Sequence, residues 1–175
     1  MSRIGKGCEK NNGMAYNLMG TFHLYGQYGR QRDPIKAGQL FLKSGQFGSP
    51  DGFRNIGNLY KDGDLPRDDK KAKYYYELAS IKGNCDARYE LADMEIKAGN
   101  VSRGWKHHLI AAKSGYDLAL GRLKDGYTKG HITKDEYAEA MRAYKESVDE
   151  MNSDERIAAA KTVPSTMAGR DCIIS

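Results

Sequence analysis

Cysteine, proline and long apolar runs are all scarce in this sequence, and each scarcity excludes something. The 175 residues hold three cysteines, Cys8, Cys85 and Cys172. Their number is odd and their separation wide, so they form neither a disulfide framework nor the close pairs of a zinc site, and free thiols are expected. No apolar run is longer than those at Leu109–Ala112 and Ile157–Ala160, far short of the roughly 20 residues a membrane-spanning helix needs. Arg3, Lys6 and Lys10 are followed by no apolar stretch, so no secretory signal is expected and a cytoplasmic home is. With 39% hydrophobic residues and four prolines, the composition is that of one globular unit or one repeat array.

Charge is present but unevenly placed. The net charge is +5, and it concentrates before residue 49, while the middle of the chain is nearly balanced and the last third is slightly acidic. A nucleic-acid binder usually gathers Lys and Arg on one face or in a run, with aromatic residues interleaved. The basic excess here reads instead as a solvated N-terminal surface over 1–10 and its surroundings, so nucleic acid is not the expected partner.

What the chain does have is an internal repeat. A small residue, an apolar one, a second small residue and a closing small residue recur in one frame at Ala15, Met19, Gly20 and Gly26, then at Gly52, Ile56, Gly57 and Gly63. The frame returns at Ala87, Leu91, Ala92 and Ala98, and at Ala119, Leu123 and Gly130. A second frame follows each: Ala37, Ser44, Gly48; Ala72, Ala79, Gly83; Gly104, Ala111, Gly115; and Ala140, Ser147, with Met151 in place of the closing Gly. Offsets of 4, 7 and 11 lie on one stripe of a 3.6-residue helix, so each repeat is read as two helices whose small residues permit close approach. The closing glycines suit left-handed C-caps, and Asp33-Pro34 and Pro66 mark turns and helix starts. A single helix pair of this size cannot bury its apolar stripe, so the pairs must stack. The expected fold is an all-α, α/α solenoid of about four helix-turn-helix repeats over 11–161, its last helix extended as a polar cap, with a flexible tail at 162–175. Tyr74, Tyr75, Tyr76, Leu78 and Trp105 are assigned to packing.

The run Ile56, Gly57, Tyr60, Gly63, Asp68, Lys71, Ala72, Tyr75, Ala79, Gly83 resembles the Sel-one-like repeat, a relative of the tetratricopeptide repeat, and three degenerate copies flank it. Ser44-Gly45 stands where a pair of alanines is usual in that family, and Ala92 and Ala98 occupy glycine positions. Gly130 to Tyr144 resembles the last repeat of eukaryotic arrays that follow a RING-type zinc domain. Only Cys8 precedes the first repeat, so ubiquitin-ligase activity is not carried over. Nor is the β-lactamase-like activity for which some bacterial members were named, since those carry paired cysteines in each repeat.

Catalytic constellations are hard to find. His107 and His108 are about 100° apart around a helix and cannot share one metal as two His at i and i+4 can; exposed or capping roles are expected. His23 and His131 are isolated. Asp68-Asp69, Glu95 and Asp149-Glu150 read as solvated charge, without a partner for acid–base work. Gly126 to Gly130 is not a P-loop, and no Gly-x-Ser-x-Gly elbow occurs. No enzyme, metal or cofactor is expected, although a site assembled from distant residues, catalytic or nucleic-acid-binding, stands as an alternative.

A protein or peptide partner is expected instead. By similarity to tetratricopeptide repeats, groove-facing positions fall two before and two after the apolar residue of the first frame, which selects Asn17, Thr21, Arg54, Asn58, Tyr89 and Asp93, with Lys61 one turn beyond Asn58. Arg54 and Asn58, at i and i+4, would present donors on one face. The chain therefore reads as an adaptor or scaffold, with weak self-association through the thinly covered first helix. A second possibility is membrane-directed: Cys172-Ile173-Ile174-Ser175 fits the farnesylation pattern. One lipid alone gives weak, reversible attachment, so only transient peripheral association would follow.

Overall fold

The computed structural model describes residues 12–153, which form eight α-helices and no strand. The basic segment 1–10, the end of the extended cap towards Lys161 and the tail with Cys172 lie outside the described residues. The helices are α1 (Gly13–Tyr25), α2 (Pro34–Gln46), α3 (Pro50–Asp62), α4 (Asp69–Ile81), α5 (Cys85–Lys97), α6 (Val101–Lys113), α7 (Asp117–Thr128) and α8 (Lys134–Met151). The four expected helix pairs are all present.

Helix starts follow from side chains that capture the unpaired first N–H groups. Asn12 accepts from the backbone of Met14 and Ala15, Asp33 from Lys36, Asp68 from Lys71 and Asn84 from Ala87. Pro34 follows Asp33 at the first helical position, where its missing N–H removes no helical bond. Thr133 and Glu136 form a reciprocal capping box at the start of α8.

The links between pairs are alike. Residues 47–49, 82–84 and 114–116 each contain a left-handed glycine, Gly48, Gly83 or Gly115, with φ of 93°, 90° and 83°. After each, a backbone N–H reaches back to the helix just ended: Ser49 to Ser44 at 3.0 Å, Asn84 to Ala79 at 3.0 Å and Tyr116 to Ala111 at 3.2 Å. These acceptors are the small residues of the second frame.

Packing explains the small positions of the first frame. A Cβ on Gly20 would stand 2.6 Å from the Phe41 ring, and one on Gly57 would stand 2.6 Å from the Tyr76 ring. α1 and α3 thus each leave a slot for a ring from the second helix of their own pair, and Phe41 and Tyr76 are almost wholly buried. Gly45, where alanine is usual, serves Phe53 of the next pair in the same way, again at 2.6 Å. Two apolar clusters result, one around Phe41, Ile56, Leu59, Tyr76 and Leu91, the other around Trp105, Ala112, Leu123, Ile132 and Ala140.

Three residues depart from their expected settings. Tyr74 is 56% exposed: successive helical residues turn by about 100°, so a run of three tyrosines cannot all face inward. His108 and Glu95 are both fully buried, against the exposed or capping and solvated readings. Partners from neighbouring helices make their burial tolerable.

The fourth pair is built differently. In the first three, the two helices of a pair pack closely on each other, whereas α8 makes more of its contacts with α6 than with α7. Lys113 and Glu139 pair at 2.7 Å across α6 and α8.

Candidate functional site

The first helices of the pairs, α1, α3, α5 and α7, are tied to one another by polar side chains. Two regularities run along them. The residue three past the opening small residue of each frame reaches back to the preceding repeat: Asn55 donates to Asn17 at 2.8 Å, Glu90 pairs with Lys61 at 2.8 Å, and Arg122 donates to Tyr89 at 3.2 Å and to Asp93 at 3.0 Å. The residues just before α5 and α7 also reach back, to an acid in the first turn of the preceding first helix. Asn84 donates to Asp51 at 2.8 Å and the Tyr116 hydroxyl to Asp86 at 2.6 Å.

Against this frame the seven expected groove residues separate. Thr21 bonds its own helix, donating to the Asn17 carbonyl at 3.1 Å. Lys61 is held by Glu90. Tyr89 packs edge-on against His108 and Tyr116, with ring centroids 5.1 and 5.7 Å away. Asp93 is occupied on both oxygens, by His108 Nε2 at 3.1 Å and by Arg122 Nη2 at 3.0 Å. Lys61, Tyr89 and Asp93 thus fasten repeat to repeat, whereas Thr21 serves only its own helix.

Arg54 and Asn58 differ. The Arg54 Nε lies 3.9 Å from Asp51 and 4.0 Å from Asp86, near enough for attraction but too far for a hydrogen bond. No hydrogen bond to its guanidinium occurs among the described residues, and its Nε is buried without a partner. Asn58 accepts from the Tyr76 hydroxyl at 2.7 Å, which leaves its amide N–H groups without a bond among the described residues. Two donors, one turn apart, therefore remain without a hydrogen bond among the described residues.

Electrostatics follow from burial and pairing. Burial lowers the pKa of His108 below the ordinary histidine value, and Asp93 opposes that only in part. The ring is thus neutral, donating through Nε2 to Asp93. Burial also raises the Tyr76 and Tyr116 hydroxyls well above the usual phenol range, with nearby carboxylates adding to the effect. Glu95 is pushed up by burial, but hydrogen bonds from Lys73 and Asn100, with the charges of Lys73 and Arg103, bring it below the ordinary value. Its carboxylate lies 2.8 Å from Lys73 Nζ, 3.3 Å from Arg103 Nε and 2.8 Å from Asn100 Nδ2, which ties α4, α5 and α6 together.

Among the described residues no group of three or more His, Cys, Asp or Glu gathers as a metal-binding set, and no helix is long and apolar enough to cross a membrane. Sequence reasoning missed Asn55, Asp86, Glu90, His108, Tyr116 and Arg122. The first, third and sixth share one offset in the repeat frame, and that shared offset is the signal that could have found them.

Comparison with known proteins accords with this geometry. Residues 13–46 and 54–84 match the family model of the Sel1 repeat. Over 101 residues, 57% of the chain, the sequence is 30% identical to "ERAD-associated E3 ubiquitin-protein ligase component HRD3B" of Arabidopsis thaliana, of which it spans 16%. A Sel1 repeat protein from Oxalobacter formigenes superposes on 82% of this chain with a TM-score of 0.70 at 22% identity, over 62% of its own length. The protective antigen c5321 of uropathogenic Escherichia coli, described as an SLR fold, superposes on 81% with a TM-score of 0.69 at 23% identity, over 32% of its own length. The chain thus spans less than two thirds of each of these proteins.

Proposed function

The chain is a Sel1-like repeat protein, and from that premise we propose that it is a scaffold that holds a protein or peptide partner against α1, α3, α5 and α7. Sel1-repeat proteins are generally protein-interaction scaffolds, and the description of the plant relative as a ligase component fits a role in assembly. Stacked helix pairs offer a long surface on which many side chains can meet one extended partner.

The observation that carries the proposal is the pair of unused donors at Arg54 and Asn58. A guanidinium held between Asp51 and Asp86 without a hydrogen bond is oriented, only 30% exposed along its side chain, and left with its fork unmatched. Bidentate donation to a partner carboxylate or peptide carbonyl would match it. Asn58 would add a second donor one turn along.

Affinity capture from native cells with the tagged chain, followed by quantitative mass spectrometry, tests this. Arg54→Ala with Asn58→Ala is expected to remove reproducible partners while leaving helix content by circular dichroism unchanged. Retention of every partner by a folded double variant would overturn the assignment.

A further inference from the structure

A second feature begins one turn beyond Asn58 and is built from residues other than Arg54 and Asn58. Where the last turn of α3, the connection 63–68, the first turns of α4 and the last turn of α5 meet, they enclose a cleft of about 360 Å³. Five cations line it: Lys61, Arg67, Lys70, Lys73 and Lys97. Asp69 is the one acid among its lining residues, and Met94 and Ala98 give it an apolar part.

The five cations divide into two kinds. Lys61 is fixed by Glu90 at 2.8 Å, Arg67 by Asp69 at 3.2 Å and Lys73 by Glu95 at 2.8 Å. These pairs hold the walls in place. Lys70 and Lys97 have no ion pair among the described residues, and both are exposed. The cleft therefore carries two positive charges that nothing on its own walls answers, beside a small apolar surface.

We propose that this cleft receives two neighbouring acidic side chains of a partner polypeptide, their carboxylates meeting Lys70 and Lys97 and an adjoining apolar side chain meeting Met94. Its volume lies at the lower end of those that take whole small molecules and suits a few side chains. Its lining contains no aromatic residue, whereas single-stranded nucleic acid is held by stacking on aromatic rings along a basic track. The one arginine, the residue best shaped for phosphate, is already held by Asp69. The nature of the occupant rests on the protein-binding reading above, while its location rests on residues separate from Arg54 and Asn58.

The test uses fluorescence anisotropy with the full chain and a short labelled peptide in which two adjacent glutamates follow a leucine. Saturable binding that weakens with added salt is expected, with little binding of the peptide whose glutamates are replaced by glutamines. Lys70→Gln with Lys97→Gln should weaken capture about tenfold, as two ion pairs at a partly exposed site would. Lys129→Gln with Lys134→Gln, on α7's end and α8's start, should leave it unchanged. Both variants alter exposed side chains, so the fold is retained. Equal binding of the glutamine peptide, equal loss in the two lysine variants, no binding of the glutamate peptide, or tighter binding of a single-stranded oligonucleotide would each overturn the proposal. The Arg54→Ala, Asn58→Ala variant, run with the same probe, should bind normally; its failure in partner capture alone would then concern the donors of α3 and not this cleft.

Discussion

The joint between the first and second repeats and the joint between the third and fourth serve the same purpose with different chemistry. At the first, Phe53 lies on Gly45, one neutral hydrogen bond joins Asn55 to Asn17, and an exposed ion pair joins Arg32 to Asp64. At the second, Arg122, Asp93, His108 and Tyr89 form a connected polar group, and the Tyr116 hydroxyl adds a bond to Asp86. The backbone turns at the two joints are nearly the same. Helix spacing therefore does not dictate how neighbours are fastened: close apolar contact and a partly exposed polar network anchored on buried His108 both meet its demands. The second solution depends on the protonation of a buried histidine, and the first contains none.

The comparison can be broken from the apolar side first. Phe41, 1% exposed and lying on Gly20, fills the centre of the N-terminal cluster, so Phe41→Ala is expected to cost about 4 kcal/mol. Chemical denaturation should show it, and hydrogen exchange should show protection lost in α1 to α4 before α7 and α8, since repeats depend mainly on their neighbours. Uniform loss along the chain would mean that the two clusters unfold as one.

Breaking the polar joint is expected to have a smaller effect. Asp93→Ala leaves the buried His108 nitrogen and Arg122 without their shared acceptor and should cost about 2 kcal/mol, read as a lower urea midpoint with an unchanged slope. Tyr76→Phe removes the bond to Asn58 and should cost about 1 kcal/mol, while leaving the ring on Gly57.

The pH dependence sharpens the contrast. The folded-state pKa of His108 is lowered, so the unfolded chain binds its proton more readily. The stability from the neutral ring is fully present above the unfolded value of about 6.5 and is lost as pH falls through the lower folded value. Melting temperature should decline as the solution is acidified across that range, and His108→Gln should flatten part of the decline. Part will persist, because His23 and His107 shift in the same direction. Glu95, whose pKa is also lowered, adds a separate loss at more acidic pH, below the ordinary glutamate value of about 4.3, that Glu95→Gln should remove. Least of all, Lys113→Ala, which breaks the exposed pair with Glu139, is expected to shift stability by no more than about 0.5 kcal/mol.

Much of this architecture is readable from spacing alone. The small residues at 20, 37, 57, 72 and 79 are positions of close helix contact, and the closing glycines at 26, 48, 63, 83, 115 and 130 take left-handed conformations. Both properties are local, or follow from a period. The burial of Glu95 is not local. It depends on Lys73 from the preceding pair and on Arg103 and Asn100 from the next helix, and no count along the chain brings those three together. His108 is similar, since its neutral state comes from burial, with Tyr89 of α5 packed on its ring, and prevails over the opposing charge of Asp93. The surface residues assigned by analogy were selected by position in the repeat, which identifies a face but does not distinguish side chains free to donate from those that hold adjacent repeats together.

The links between pairs have a consequence for how such arrays grow. Residues 47–49, 82–84 and 114–116 keep one length and one geometry, while the connections inside the pairs, at 26–33, 63–68, 98–100 and 129–133, vary freely. A segment copied or deleted between Gly48 and Gly83 carries one whole unit, and its new junction rebuilds the same turn with the same backbone bond. Recombination at these glycines preserves phase, so the array can change length by whole units without its neighbours having to relearn how to meet.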